Sequence, residues 1–276
     1  MPACFVPLVT VVLVFRRYPG RLHDLQSEFG REYTQLSRVF NEVVDWLWDR
    51  HRHRIMDNLD FYAPHFEEMA RKIETKGGVG LEKSCFVGFV DGTIISNCRP
   101  GGDQELQREL FDGHHRKHGL VWQSVVFPNG MIGDLHGPEV GRRHDAYAWT
   151  QSGVNGRLAS AQAGNAVQYK VFGDAAYPID THIDRGFKGA NLTDAQKAYN
   201  TNLSKVRICV EWTFGKIVQL YPFIDFAKNL KINLQPVAKY YLIAALLTNA
   251  HTCMYGSITG LYFSMTPPSL ERYFGE

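Results

Sequence analysis

Three carboxylates stand out by their settings. Asp91 follows the apolar run Phe86-Val87-Gly88-Phe89-Val90, and Asp174 follows the run from Tyr169 to Gly173. Each sits where a strand is expected to stop, and in open α/β sheets chemistry gathers outside the carboxyl ends of strands. Glu211 lies midway along a helical stretch that can cover the same sheet end. The spacings are 83 and 37 residues. If the two strands are parallel neighbours, Asp91 and Asp174 lie side by side. Converging carboxylates repel strongly in low dielectric and persist only with a compensating cation. All-oxygen ligands select hard ions such as Mg²⁺ or Mn²⁺. Two such ions about 3.5–4 Å apart form a clamp for phosphoryl transfer. Three acids out of 28 are weak evidence by themselves. Asp91 and Asp174 also read as residues that end strands, and Glu211 as a solvated helix acid paired with Arg207 one turn earlier.

Other residues widen the candidate site. Asp145 reads either as the cap of the helix that follows or, with His144, as a group that steadies the ligands from behind. Arg207 can orient Glu211 or contact a phosphate. Arg142 and Arg143 are candidate phosphate contacts or part of a solvated loop. The spacing of His114, His115 and His118 allows a zinc-binding helical face, but no second ligand pair accompanies them. A basic, DNA-facing loop with Arg116 and Lys117 is the better reading. Lys205 and Lys216, on the helix of Glu211, and Arg38, further upstream, complete the candidate DNA contacts. The run Arg50-His51-Arg52-His53-Arg54 is a weak nuclear-localisation pattern; as a helix end its cations complement the dipole. Trp46, Trp48 and Trp212 are expected in the core.

These residues must be positioned by a small set of elements. Leu22, Leu25 and Phe29 space a short helix ended by Gly30. Leu36, Val39, Phe40, Val43, Val44 and Leu47 put one apolar stripe on a longer helix. Two helices and a tight turn fit a helix-turn-helix or a plain helical hairpin. The exposed face offers only Gln35, Arg38 and Asn41 to DNA, which favours the hairpin. Residues 57–74 are acidic and helical, and Lys76-Gly77-Gly78-Val79-Gly80 is a linker candidate. Leu120–Phe127 and Met131–His136 form a hairpin about Pro128-Asn129-Gly130. Helices are expected over 145–162, 204–220 and 237–254, the last opened by Pro236. That order suits a mixed α/β sheet.

Several segments resemble, in order, the PIF/Harbinger transposases and their domesticated nuclease relatives, a branch of the DDE transposases. They are Phe89-Val90-Asp91-Gly92-Thr93, the stretch from Asp112 through Gln123 to Pro128-Asn129-Gly130, and Gly141-Arg142-Arg143-His144-Asp145. Gly173-Asp174-Ala175-Ala176-Tyr177, Asn200, Ser204 and Arg207-Ile208-Cys209-Val210-Glu211-Trp212-Thr213-Phe214-Gly215 follow. The resemblance covers 85–255 and, more loosely, 16–54. It implies an RNase H-like mixed sheet with an N-terminal helix-turn-helix-like region, and a metal-dependent DNA endonuclease or transposase. It places the family's two aspartates on Asp91 and Asp174 and its glutamate on Glu211, as catalytic residues and ligands of two Mg²⁺ or Mn²⁺ ions. Gly92 would leave room for a phosphate to come close. It implies a nuclear protein acting on DNA, with a Myb-like DNA-binding partner and a homo-oligomer as further expectations. A domesticated, catalytically silent DNA- or partner-binding protein is the alternative. Family members usually carry more N-terminal sequence, which leaves the completeness of this region open. The expected divisions are 1–80 (N-terminal helical region), 81–235 (nuclease domain) and 236–276 (C-terminal helix and tail packing on the core).

Composition sets the outer bounds. With 30 Lys and Arg against 28 acids the 276-residue chain has a net charge of +2, which excludes a histone-like polycation. The average hides a contrast. Residues 185–239 hold nine Lys and Arg against three acids, a net of +6, so the remainder is −4. Five cysteines with no regular spacing are expected to be reduced thiols rather than a disulfide framework. The 13-residue apolar run Ala3–Phe15 is too short to span a membrane, which takes about 17–25 residues, and it lacks the order of a signal peptide. A buried helix is the expectation there.

Overall fold

The computed structural model describes residue 14 and residues 21–77 and 85–275. The run Ala3–Phe15 therefore lies outside the described residues except for Val14, which is helical and buried. Of the linker candidate, Lys76 and Gly77 end a helix and the rest is outside the described residues. No helix among the described residues is long and apolar enough to cross a membrane. The described cysteines, Cys85, Cys98, Cys209 and Cys253, are free thiols.

Short helical turns over 22–29 lead into α1 (Tyr33–His51), and further turns over 53–65 lead into α2 (Phe66–Gly77). The sheet then begins with β1 (Phe86–Ser96). It is followed by α3 (Gln104–Leu110), β2 (Phe111–Asp112), β3 (Lys117–Val126) and β4 (Ile132–Val140). Next come α4 (Asp145–Ser152), α5 (Val154–Ala161), β5 (Lys170–Gly173) and β6 (Ile183–Arg185). Helices α6 (Asp194–Leu220), α7 (Val237–Tyr255), α8 (Ile258–Phe263) and α9 (Leu270–Phe274) complete the chain. The sheet order is β2-β3-β1-β5-β6, with β4 also paired to β3. β1 runs antiparallel to β3 with Asp91 opposite Ser124, and parallel to β5 with Phe89 opposite Phe172. β5 and β6 are parallel. This is the mixed α/β sheet expected from the order of patterns.

Burial explains the strands. Phe86, Val87, Phe89 and Val90 are all buried, as befits a strand covered on both faces where it pairs in parallel. β1 does not stop at Asp91, as the sequence pattern suggested. It continues to Ser96 because β3 keeps pairing with it out to Gly119. Only the parallel partner stops, at Gly173. The expected helix 145–162 is two helices, because Gly153 adopts a left-handed conformation (φ 67°) that favours glycine. α6 starts at Asp194, ten residues earlier than its apolar pattern, under a capping box of Thr193 and Gln196. It buries Leu203, Val206, Cys209, Val210, Thr213 and Ile217 on one side.

α7 is apolar all round and accordingly buried, with Leu242 to Leu246 fully enclosed. The α1 stripe of Leu36, Phe40, Val44 and Leu47 lies against it. Phe40 meets Tyr240 at 5.2 Å between ring centroids, and the Tyr240 hydroxyl donates to Asn41 Oδ1 at 2.8 Å. Asn41 is thus committed to the core, which removes one of three candidate DNA contacts and fits the plain hairpin. Trp46 corrects another expectation: it is 54% exposed, under a T-shaped contact with His51, while Trp48 and Trp212 are half-buried against the core. Arg50 to Arg54 lie at the end of α1 and in the turn that follows. One hydrophobic cluster takes in residues from Val14 to Tyr273.

A buried ion pair ties this framework together. Asp134 on β4 is 1% exposed and accepts from Arg157 of α5 through Nε (3.2 Å) and Nη2 (2.5 Å). Arg157 Nη1 donates to the Ser152 carbonyl at 2.8 Å. Burial pushes the Asp134 carboxyl up to about 7 against the pull of that guanidinium.

Candidate active site

The parallel pairing of β1 and β5 brings Asp91 and Asp174 to adjoining positions. Asp91 comes two residues beyond Phe89, and Asp174 two beyond its partner Phe172. Asp91 Oδ1 accepts from the Gly92 N–H at 3.0 Å, and its Oδ2 accepts from Arg207 Nη1 on α6 at 2.5 Å. Burial raises the Asp91 carboxyl above its usual range; Arg207 opposes that shift and Asp174 adds to it. Asp174 Oδ1 accepts from the Ala176 N–H at 2.7 Å, which closes a turn beyond β5. That turn folds Tyr177 back so that its ring lies against Gly173, where a Cβ would meet it at 2.8 Å.

Asp145 completes the group. It opens α4, and its carboxylate lies directly over Gly92, where any side chain would collide with it. Gly92 therefore makes room for Asp145 rather than for a phosphate, which corrects the sequence reading. The Asp145 carboxyl is pushed up to about 6, first by burial, then by Asp174 and Asp91; His144 and Arg207 pull the other way. His144 holds the N-cap position of α4 and Asp145 is its first helical residue, so the capping role weighed from sequence is not realised. Tyr177 is fully buried, and its hydroxyl has no hydrogen-bond partner among the described residues. Burial and then the charges of Asp145, Asp91 and Asp174 raise its phenol, so it stays protonated.

Glu211 stands apart. It lies on α6 one turn beyond Arg207, but its side chain is 61% exposed and its Oε1 is 3.9 Å from Arg207 Nη2. Arg207 thus sits between Glu211 and Asp91. The chemistry of the donors suits a hard divalent cation: several carboxylates crowded into partly buried space, beside one orphaned hydroxyl. No group of three or more His, Cys, Asp or Glu side chains among the described residues is gathered closely enough to hold an ion as they stand.

The candidate DNA contacts divide into two sets. Lys117, Arg142, Arg143 and His144 line a cleft of roughly 510 Å³ together with Gly92 and Asp145, so this basic wall adjoins the acids. Arg142 also pairs with Glu109 at 3.1 Å, and Arg143 stacks over Tyr147 at 4.2 Å. His114 and His115 line the same cleft. His115 Nδ1 lies 2.6 Å from Asp112 Oδ2, which accounts for it without zinc. His118 is on β3 against Phe111, and Arg116 is an exposed turn residue with φ 53°. Arg38 and Lys205 are exposed but line no part of this cleft. Lys216 is committed elsewhere. It donates to Thr252 Oγ1 (2.8 Å) and to the Gly256 carbonyl (2.9 Å), and burial lowers it to about 8. A larger hollow, roughly 780 Å³ between α1 and the start of α7, contains none of the acids.

Sequence reasoning missed Tyr177 altogether and left Asp145 between two roles. The signal for Tyr177 was its place three residues after Asp174 in Gly173-Asp174-Ala175-Ala176-Tyr177. For Asp145 nothing local distinguishes a helix-opening aspartate that caps from one that points into a site.

Neither a curated protein nor a solved structure matches the chain. A family profile does: that of the DDE superfamily endonucleases covers residues 90–249, from the residue before Asp91 into α7. The match takes in more than half of the chain and every acid of the group, and this protein belongs to the DDE superfamily endonuclease family.

Proposed function

We propose that this chain is a divalent-cation-dependent DNA nuclease of the Harbinger type, either a transposase or its domesticated nuclease derivative, built on an RNase H-like sheet. The observation that carries the reading is that Asp91 and Asp174 hold adjoining positions just beyond the parallel pairing of β1 and β5, beside a cleft walled by Lys117, Arg142 and Arg143. The sheet order supports the RNase H-like assignment: β1, β3 and β4, with the short β2, are joined by antiparallel pairing, and β5 and β6 are added in parallel to β1. A divalent cation, Mg²⁺ or Mn²⁺ with two ions expected, supplies the charge that lets the carboxylates remain ionised together and polarises the attacking and leaving oxygens.

The chain's own residues do the positioning. β1 and the end of β5 fix Asp91 and Asp174 in adjoining positions. Arg207 holds Asp91 through one nitrogen and leaves Nη2 facing Glu211. Glu211 would be the third ligand expected from the resemblance, held through Arg207 on the same helix. Lys117, Arg142 and Arg143 hold backbone phosphates and so keep the scissile bond in line for attack by water, or by a 3′-hydroxyl in a joining step. Nuclear location, a Myb-like partner and a homo-oligomer go with this reading.

A second reading has one observation in its favour. Arg207 occupies Asp91 Oδ2 while Glu211 faces solvent, as in a catalytically silent DNA- or partner-binding protein. Nicking of supercoiled DNA separates the two. On the nuclease reading Mg²⁺ or Mn²⁺ supports nicking, and Asp91→Asn and Asp174→Asn each lower it by about 100- to 1000-fold. Absence of cation-dependent nicking by the wild-type chain supports the silent protein.

A further inference from the structure

We propose that a second cleft, between α3 and the β2–β3 pair, is a subsite for unpaired DNA, where Phe111 stacks on a base and Arg99 and Arg108 hold the flanking phosphates. The proposal rests on the DNA-binding reading, which the nuclease and the silent protein share. It goes beyond that reading by naming another surface and the form of DNA that fits it.

Four observations carry it. The first is the chemistry of the walls. The cleft holds roughly 490 Å³ and is lined by Arg99, Gln104, Gln107, Arg108, Phe111 and His118, with no acid among them. α3 sorts its side chains to give this. Gln104, Gln107 and Arg108 fall at helical steps of three and four and line the cleft, while Glu105 and Glu109 do not.

The second is the state of the two arginines. Arg99 donates from Nε (2.9 Å) and Nη2 (2.7 Å) to Gln107 Oε1, and Gln107 Nε2 donates to the Pro100 carbonyl at 2.7 Å. A neutral amide thus orients this guanidinium without cancelling its charge. Arg108 is exposed, and neither arginine pairs with an acid among the described residues. Arg142, Arg157 and Arg207 each do. Two uncancelled cations in one cleft suit an anion such as backbone phosphate.

The third observation is Phe111. A lone exposed aromatic is ordinary, but this one stands on β2, an edge strand, where charge or proline usually blunts the edge. It is 41% exposed, and its cross-strand partner His118 braces the ring at 5.3 Å between centroids. A braced, part-exposed ring beside cations is the arrangement on which the bases of single strands stack. A base inside a duplex has both faces covered by its neighbours, so the fit is to an unpaired one. The fourth is continuity. Lys117 lines the cleft beside the acids, and His118, the next residue of β3, lines this one. Glu109 of α3, the neighbour of Arg108, pairs with Arg142 of the first cleft. The two clefts share one partition, so a strand held in the first can continue into the second.

The test is fluorescence anisotropy of labelled single-stranded and duplex oligonucleotides of one sequence, titrated with the full chain free of divalent cations. Phe111→Ala is expected to weaken single-strand binding about tenfold and duplex binding less than about twofold. The slope of log affinity against log salt stays unchanged in that variant, since stacking releases no counterions. Phe111→Tyr keeps the ring and the wild-type affinity. Phe111→Leu keeps apolar bulk without the ring, matches Phe111→Ala, and serves if Phe111→Ala fails to fold. Arg99→Gln and Arg108→Gln each flatten the single-strand slope by about 0.7. Wild-type single-strand affinity in Phe111→Leu, or an equal loss on single strand and duplex, overturns the subsite. Binding of neither form of DNA by the wild-type chain overturns the DNA-binding reading itself.

Discussion

Asp134 and the acids around Asp91 are both withdrawn from water, and they are compensated in opposite ways. On β4, Asp134 meets Arg157 with two nitrogens on one oxygen, and Arg157 spends its remaining donor on the Ser152 carbonyl. Around the parallel pairing of β1 and β5, Asp91, Asp145 and Asp174 act on one another beside one guanidinium, that of Arg207, which bonds Asp91 and also faces Glu211. A buried acid bonded by its own well-aligned guanidinium, which also reaches the exposed Asp57 at 3.6 Å, is architecture: the pair joins α5 to the sheet. Three acids with one cation are short of positive charge, and proteins keep such an arrangement where a bound cation makes up the difference.

The contrast can be broken from either side. Arg157→Ala gives the largest effect: it strands Asp134 in the core and is expected to cost about 3–5 kcal/mol of stability. Chemical denaturation reads this directly, and replacing Arg157 and Asp134 together by leucine should recover most of the loss. An equal loss in the double variant would mean that the pair contributes more than charge compensation.

The acidic centre should respond to pH with a definite sign. Asp145 is raised to about 6 in the folded chain, against about 3.9 unfolded. Its contribution to metal-free stability is therefore full below about pH 4 and is lost as pH rises through about 6. Mn²⁺ competes with the same protons, so its stabilising effect is small at pH 5 and grows up to about pH 7. Asp134 shifts metal-free stability in the same direction but lies outside the centre. The Mn²⁺-dependent part should hence flatten in Asp145→Asn and persist in Asp134→Asn. Thermal midpoints across pH 5–8, with and without Mn²⁺, check this.

The smallest effect concerns the cleft wall. Lys117→Ala should lower DNA affinity evenly across sequences and reduce the slope of log affinity against log salt by about 0.9. Lys216→Ala should leave that slope unchanged, since Lys216 is tied to Thr252 and Gly256.

Much of the frame was legible because it rests on short-range pattern. The buried run of β1, the hairpin at Asn129-Gly130, the stripe of α6 and the all-apolar α7 each follow from residue type and period. What escaped depended on partners far along the chain. β1 runs on past Asp91 because β3 continues to pair with it, which no local pattern records. β6 is three residues long and exists only as an edge on β5. Asp91 and Asp174 could be read as neighbours once their strands were taken as parallel. Asp145 could not, because its place depends on how α4 enters over Gly92. Lys216 looked like a free basic residue on a helix, and only the packing of α6 on α7 commits it.

On the nuclease reading the undercompensated acids, and not the compensated pair, carry the chemistry. Mg²⁺-dependent nicking of supercoiled DNA by wild type, Asp174→Asn and Asp134→Asn, at a temperature where all three are folded, tests it most directly. The prediction is that Asp174→Asn is silent while Asp134→Asn nicks at close to the wild-type rate. Nicking by Asp174→Asn at the wild-type rate, or silence of folded Asp134→Asn, would contradict it.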